Sequence, residues 1–138
     1  MQKKGRPKIL IVEDETEITD FLSDYFREKG YTVHVLNSGA EILTTYKQFQ
    51  PNLVLLDVNL GSRATLADGT EVFDGIQALE KIRSCDPSAK VIMVTGVGHK
   101  DIVDQATSHG ASGFITKPLS LEYLETTVTE KVQELLST

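Results

Sequence analysis

The sequence predicts an α/β fold: a doubly wound, five-stranded parallel sheet with helices on both faces and an insertion after the third strand. Three observations predict it. Short continuous apolar runs recur along the chain, segments with helical apolar spacing lie between them, and turn or cap residues separate the two kinds. The runs fall at Ile9–Val12, Thr32–Leu36, Leu53–Leu56, Val91–Val94 and Gly113–Ile115, are three to five residues long, and are rich in Val, Ile and Leu. Continuous apolar character, in place of alternation, is what a strand covered on both faces needs.

The helices follow in order. Ile18, Phe21, Leu22, Tyr25 and Phe26 make one apolar stripe, which should stop near Gly30, a left-handed cap residue. Ser38 with Glu41 three positions on reads as a capping box for a second helix, ended by Pro51. Ile76, Leu79 and Ile82 mark the third, and Ile102, Val103 and Ala106 the fourth, closed near Gly110. Leu121, Leu124, Val128, Val132 and Leu135 mark the fifth, with Ser120 as its cap. Strand followed by helix, repeated, implies right-handed crossovers.

One stretch breaks this rhythm. The eighteen residues from Val58 to Gly75 fit neither pattern, and connections this long inside a small domain are usually functional or mobile. Within it, β-prone residues 64–67 and 70–73 flank Asp68-Gly69, a hairpin-turn signal.

Composition narrows the function. With 138 residues, 40% hydrophobic and 25% charged, the chain suits one globular domain, 8–138, behind a basic tail, 1–7. Apolar runs such as Ile9–Val12 stop after four residues, so neither a membrane span nor a secretory signal is expected. The single cysteine, Cys85, excludes an intramolecular disulfide and a multi-cysteine metal site, and a reducing cytoplasm fits. Net charge is −6, but Lys3, Lys4, Arg6 and Lys8 precede every acid; from Ile9 onward 10 basic residues face 20 acidic ones. A body that acidic repels polyanions, so direct nucleic-acid binding is not expected.

In an open parallel sheet, ligands bind beyond the carboxyl ends of the strands. The first strand delivers Glu13 and Asp14, followed by Glu15; the third Asp57; the fourth Thr95 and Gly96; the fifth Lys117 and Pro118. Each alone has a plain explanation, such as a helix cap, a turn or a loop. Together, 43, 38 and 22 residues apart from Asp14 through Asp57 and Thr95 to Lys117, they converge on one rim. Clustered carboxylates invite a hard dication such as Mg²⁺. A dication, an ammonium and a hydroxyl together cradle a phosphoryl group, and Asp57 is placed to accept it as an acyl phosphate.

These motifs resemble the receiver domain of two-component response regulators. The match is carried by Ile9-Leu10-Ile11-Val12-Glu13-Asp14-Glu15, Leu53-Val54-Leu55-Leu56-Asp57-Val58-Asn59-Leu60, Val91-Ile92-Met93-Val94-Thr95-Gly96 and Gly113-Phe114-Ile115-Thr116-Lys117-Pro118-Leu119. The resemblance implies a flavodoxin-like (βα)5 fold with strand order 2-1-3-4-5. It implies Asp57 as phosphoacceptor, charged by a phosphohistidine on a sensor histidine kinase or phosphotransfer protein. Asp14 and Asp57 would bind Mg²⁺ directly, Glu13 through water, and Asn59 through its backbone carbonyl. Lys117 and Thr95 would take phosphoryl oxygens, and Phe114 would be a switch aromatic that turns inward as Thr95 moves; a plain core role for Phe114 stays open. An unknown downstream protein would be met by the fourth helix, fifth strand and fifth helix. No activity is expected beyond the domain's own phosphorylation and dephosphorylation.

Two departures stand out. Gly61 occupies the region where the family often has proline, and the family's Asp-Gly opening the third helix appears about ten residues late, as Asp74-Gly75, with Asp68-Gly69 as a rival match. The insertion, Gly61–Phe73, either shields the acyl phosphate, selects the kinase, or is passive. Alternatives to a free-standing switch are a phosphorelay intermediate, or the receiver part of a larger regulator or hybrid kinase. A magnesium-dependent phosphohydrolase of the haloacid dehalogenase type also uses a strand-end Asp. Its second acid, two residues on, is Asn59 here. A flavodoxin-like nucleotide binder lacks its phosphate-cradling glycine loop here, because Glu13-Asp14 follow the first strand.

Overall fold

The computed structural model describes residues 6–37, 41–58, 64–65, 71–72, 75–96 and 100–137. The elements are β1 (Lys8–Val12), α1 (Thr16–Glu28), β2 (Thr32–Leu36), α2 (Ile42–Phe49), β3 (Leu53–Asp57), β4 (Ala64–Thr65) and β5 (Glu71–Val72). They continue with α3 (Gly75–Cys85), β6 (Val91–Thr95), α4 (Lys100–Ser108) and β7 (Gly113–Thr116). The chain then enters α5 (Leu121–Tyr123), a π-helical stretch (Leu124–Val128) and α6 (Thr129–Leu136).

Strands β2, β1, β3, β6 and β7 form one sheet in that order, each neighbour parallel. This is the 2-1-3-4-5 order expected for the five main strands. Period-two alternation sends each strand's apolar side chains to two separate cores. Leu10, Val12, Val54, Leu56, Val91 and Met93 pack under α2, α3 and α4 with Ile42, Leu79, Ile82 and Ala106. Ile9, Ile11, Leu53, Leu55, Ile92, Val94 and Ile115 pack on the other face with Leu22 and Phe26 of α1 and with Leu124, Val128 and Val132. All five residues of β3 and of β6 are buried, which is why their sequences show no polar alternation.

Helix ends follow local chemistry. Gly30 and Gly110 adopt φ of +99° and +92°, as expected of cap glycines. Ser120 Oγ accepts the Tyr123 N–H at 3.1 Å. Two ends depart from expectation. Helix α2 begins at Ile42, after Glu41, while Ser38 lies outside the described residues. It stops at Gln50, whose φ is +52°, one residue before Pro51. Proline disfavours the α region for the residue before it, and Gln50 resolves that in the left-handed region at a cost of about 1–2 kcal/mol. The last helix is not regular throughout. The Thr129 N–H reaches back to the Leu124 carbonyl, and Thr129 Oγ1 donates to the same oxygen at 2.7 Å, widening one turn.

The expected hairpin exists in its paired residues, with Ala64 opposite Val72 and Thr65 opposite Glu71. Asp68-Gly69 and the rest of its turn lie outside the described residues. The insertion leaves and rejoins the fold at a closed neck: the Gly75 N–H donates to the Val58 carbonyl at 2.6 Å. A Cβ on Gly75 would collide with the Asp57 carbonyl oxygen and stand 2.9 Å from Val58 Cα. Only glycine allows that approach. Gly75 therefore opens α3, which decides between the two candidate glycines in favour of the later one.

Candidate functional site

Strand ends assemble the site. Glu13 follows β1, its N–H bonded to the Leu36 carbonyl of β2 at 3.0 Å, while Asn37 Nδ2 donates to the Glu13 carbonyl at 3.3 Å. Asp57 ends β3 in register with Val94 of β6, and the Val58 N–H continues the ladder to the Val94 carbonyl at 2.9 Å. Thr95 lies one residue beyond that pair. The Lys117 N–H bonds to the Thr95 carbonyl at 2.8 Å, carrying the β6–β7 ladder one step past β7. The peptide between Lys117 and Pro118 is cis.

The side chains meet above these ends. Carboxylate oxygens of Glu13, Asp14, Glu15 and Asp57 all lie within 4.8 Å of one another. Lys117 Nζ stands 3.3 Å from Asp57 Oδ2, 3.3 Å from Glu13 Oε1 and 3.0 Å from Glu15 Oε1. Glu13, Asp57 and Thr95 are buried, Asp14 and Glu15 exposed, Lys117 between. The Thr95 hydroxyl makes a long hydrogen bond, 3.4 Å, to the Gly96 carbonyl. Phe114, paired with Met93 on β7, is half-buried against the α2–α4 core, on the same sheet face as Thr95 and two rows below it.

Electrostatics show a site with too many carboxylates for its own cations. Burial first, and then the neighbouring Asp57, push the Glu13 carboxyl up to about 8 against the opposing pull of Lys117. Its Oε1 is buried with no hydrogen-bond partner among the described residues. Burial pulls the Lys117 ammonium down, but its hydrogen bond to Glu15 and the charges of Asp57 and Glu13 outweigh it, so its pKa is raised. Lys117 is therefore a permanent cation and donor near neutral pH, never a base. A buried carboxylate oxygen that makes no hydrogen bond among the described residues and shares its ion pair to Lys117 with two other carboxylates is what a hard dication satisfies, so these residues fit Mg²⁺.

Of the residues expected at the site, Glu13, Asp14, Asp57 and Lys117 converge in contact, and Thr95 borders them. Asn59 lies outside the described residues. Two participants went unassigned by sequence reasoning. Glu15 engages Lys117; its signal was its place in the Glu13-Asp14-Glu15 run. Gly75 packs its backbone on Asp57; its signal was the Asp-Gly dipeptide. Beside the rim, Ile18, Phe21, Leu119, Glu15 and Lys117 line an open cleft of about 450 Å³.

A doubly wound parallel sheet with acids, a threonine and a lysine gathered on its carboxyl rim defines a receiver-type signalling domain. The chain belongs to the response regulator receiver domain family, whose model matches residues 9–129. It is 30% identical over 111 residues to the chemotaxis protein CheY of Halobacterium salinarum, covering 80% of this chain and 84% of that protein. It is 28% identical over 121 residues to the sporulation initiation phosphotransferase F of Bacillus subtilis, covering 88% and 90% of the two chains. Among solved structures, a CheY-like response regulator receiver domain protein from Methanospirillum hungatei superposes with a TM-score of 0.79 at 28% identity, covering 96% and 98%. Among the described residues, no helix is long and apolar enough to cross a membrane.

Proposed function

We propose that Asp57 accepts a phosphoryl group from a phosphohistidine on a sensor histidine kinase or phosphotransfer protein, in a Mg²⁺-dependent reaction that shifts a two-state switch. The observation that carries this is Lys117 Nζ at 3.3 Å from Asp57 Oδ2, inside a cluster of four carboxylates. An Asp57 oxygen attacks phosphorus, the phosphorus–nitrogen bond breaks, and its electron pair stays on the imidazole. Lys117 offers its ammonium to a phosphoryl oxygen, and Thr95 its weakly engaged hydroxyl to another. Gly96, which has no side chain, would leave room for the phosphoryl group to approach. Glu13, Asp14 and Asp57, with the Asn59 carbonyl, would hold the ion. Bound there, Mg²⁺ supplies positive charge to the carboxylates and the transferring group.

Signalling follows from the change of partners. Thr95 moving to the phosphate vacates space on the face it shares with Phe114, whose ring turns inward and alters the surface of α4, β7 and the final helix for a downstream protein. A phosphorelay intermediate is the second reading, favoured by the likeness to the sporulation phosphotransferase. Beyond its own phosphorylation and slow hydrolysis the domain turns nothing over, and it works in the cytoplasm, where its lone thiol stays reduced. The test is incubation with acetyl phosphate and Mg²⁺, read on a phosphate-affinity gel. Stoichiometric label lost without Mg²⁺ and lost in Asp57→Ala is expected; catalytic release of phosphate from esters would overturn the reading in favour of a hydrolase.

A further inference from the structure

The phosphoacceptor reading leaves Glu15 without a task, yet its carboxylate is the nearest of three around the Lys117 ammonium, at 3.0 Å against 3.3 Å for Glu13 and for Asp57. The three differ in freedom. The Glu15 side chain is 61% exposed, those of Glu13 and Asp57 only 2% and 4%. Its backbone is anchored, because the Glu15 N–H donates to Glu13 Oε2 at 3.2 Å. So the main chain holds still while the carboxylate can turn to solvent.

An ammonium has three protons to donate. Lys117 Nζ donates hydrogen bonds to Glu15 Oε1 and Asp57 Oδ2, and its 3.3 Å approach to Glu13 Oε1 is an ion pair without a hydrogen bond, so a phosphoryl group arriving on Asp57 draws the ammonium inward at the expense of its hold on one of these partners. The buried carboxylates cannot leave. The exposed one can, because a solvated ion pair is worth little. We propose that Glu15 is a positioning residue that acts through Lys117: it tethers the ammonium at the mouth of the site before phosphorylation, and its release accompanies phosphoryl entry and slows it. The inference rests on Asp57 being the phosphoacceptor.

Glu15→Gln removes both the tether and a negative charge at the entrance. Glu15→Asp keeps the charge but shortens the arm by one methylene. Rates of Mg²⁺-dependent labelling by acetyl phosphate, at low salt and at ~1 M salt where the Debye length is about 3 Å, separate the two effects. The Lys117 Nζ resonance, followed by nitrogen NMR in the metal-free, unphosphorylated chain, reads the tether directly. Glu15→Gln should label about two- to fivefold faster, the scale of one exposed ion pair. Glu15→Asp should match it at high salt, and both should shift the Lys117 resonance. Unchanged rates, an unmoved resonance, or Glu15→Asp behaving as wild type while Glu15→Gln speeds up only at low salt would overturn the tether. Failure of the wild-type chain to label Asp57 would overturn the underlying reading instead, while the resonance still reports whether Glu15 holds Lys117.

Discussion

At the amino ends of the strands, polar groups are matched. Tyr46 Oη donates to Asp86 Oδ2 at 2.7 Å, Asn52 exchanges bonds with the Lys8 backbone at 2.7 and 2.8 Å, and Lys90 Nζ donates to the Leu135 carbonyl at 2.6 Å. At the carboxyl ends three carboxylates compete for Lys117, and Glu13 Oε1 finds no hydrogen bond among the described residues. The two rims cap the same strands, so the difference is not one of scaffold. One end spends its polar groups on holding loops in place. The other leaves charge unbalanced, and that imbalance is what makes it receptive to a cation and a phosphoryl group.

The comparison can be broken most sharply at its centre. Asp57→Asn should abolish acetyl phosphate labelling while the chain stays folded by circular dichroism, and Tyr46→Phe should label as wild type. Equal losses in the two would erase the division between the rims.

Gly75→Ala tests how closely the fold serves the acceptor. The added methyl meets the Asp57 carbonyl, and overpacking of this kind costs about 1–3 kcal/mol. A lowered urea midpoint with slower labelling is expected.

A pH titration in chelator reads the imbalance itself. The folded Glu13 carboxyl titrates at about 8 against 4.5 for an ordinary one, so between these values the folded state holds a proton that the unfolded chain has lost. For this group, stability is full below about 4.5 and is lost as pH rises through about 8. The difference in urea midpoint between the wild type and Glu13→Gln should therefore grow over that window, to the disadvantage of the wild type, and Mg²⁺ should shrink it.

The smallest effect belongs to the matched rim. Tyr46→Phe should cost only about 1 kcal/mol, the net value of one hydrogen bond. Asp86 keeps a second bond, from the Ser88 N–H to Oδ1 at 3.0 Å, so its carboxylate is not stranded.

Much of this was legible in the chain. The apolar runs mark every main strand to within two residues; in β1, β3 and β6 this is because a strand buried on both faces cannot hide polar residues, whereas the edge strands β2 and β7, expected to be covered on both faces, expose Thr32, His34 and Thr116. Gly30, Gly110 and Ser120 announce their caps through backbone freedom and a short hydroxyl. The left-handed Gln50 and the π-helical turn at Thr129 were not legible, since each answers to a neighbour's demand and not to its own propensity. The hairpin was visible through its paired residues, but its dipeptide competed with the one that opens α3.

The sequence alone determined which side chains reach the carboxyl rim, because strand periodicity and the position after each strand fix their place along the sheet. Tertiary packing decided which of them touch. Glu15 and Lys117 lie 102 residues apart, and their 3.0 Å contact depends on how the β1–α1 turn leans toward the end of β7. The sequence favoured Gly75 over Gly69 as the opening of α3, but the contact of its backbone with Asp57 came only from the fold, because close approach is a property of two segments and no single segment encodes it.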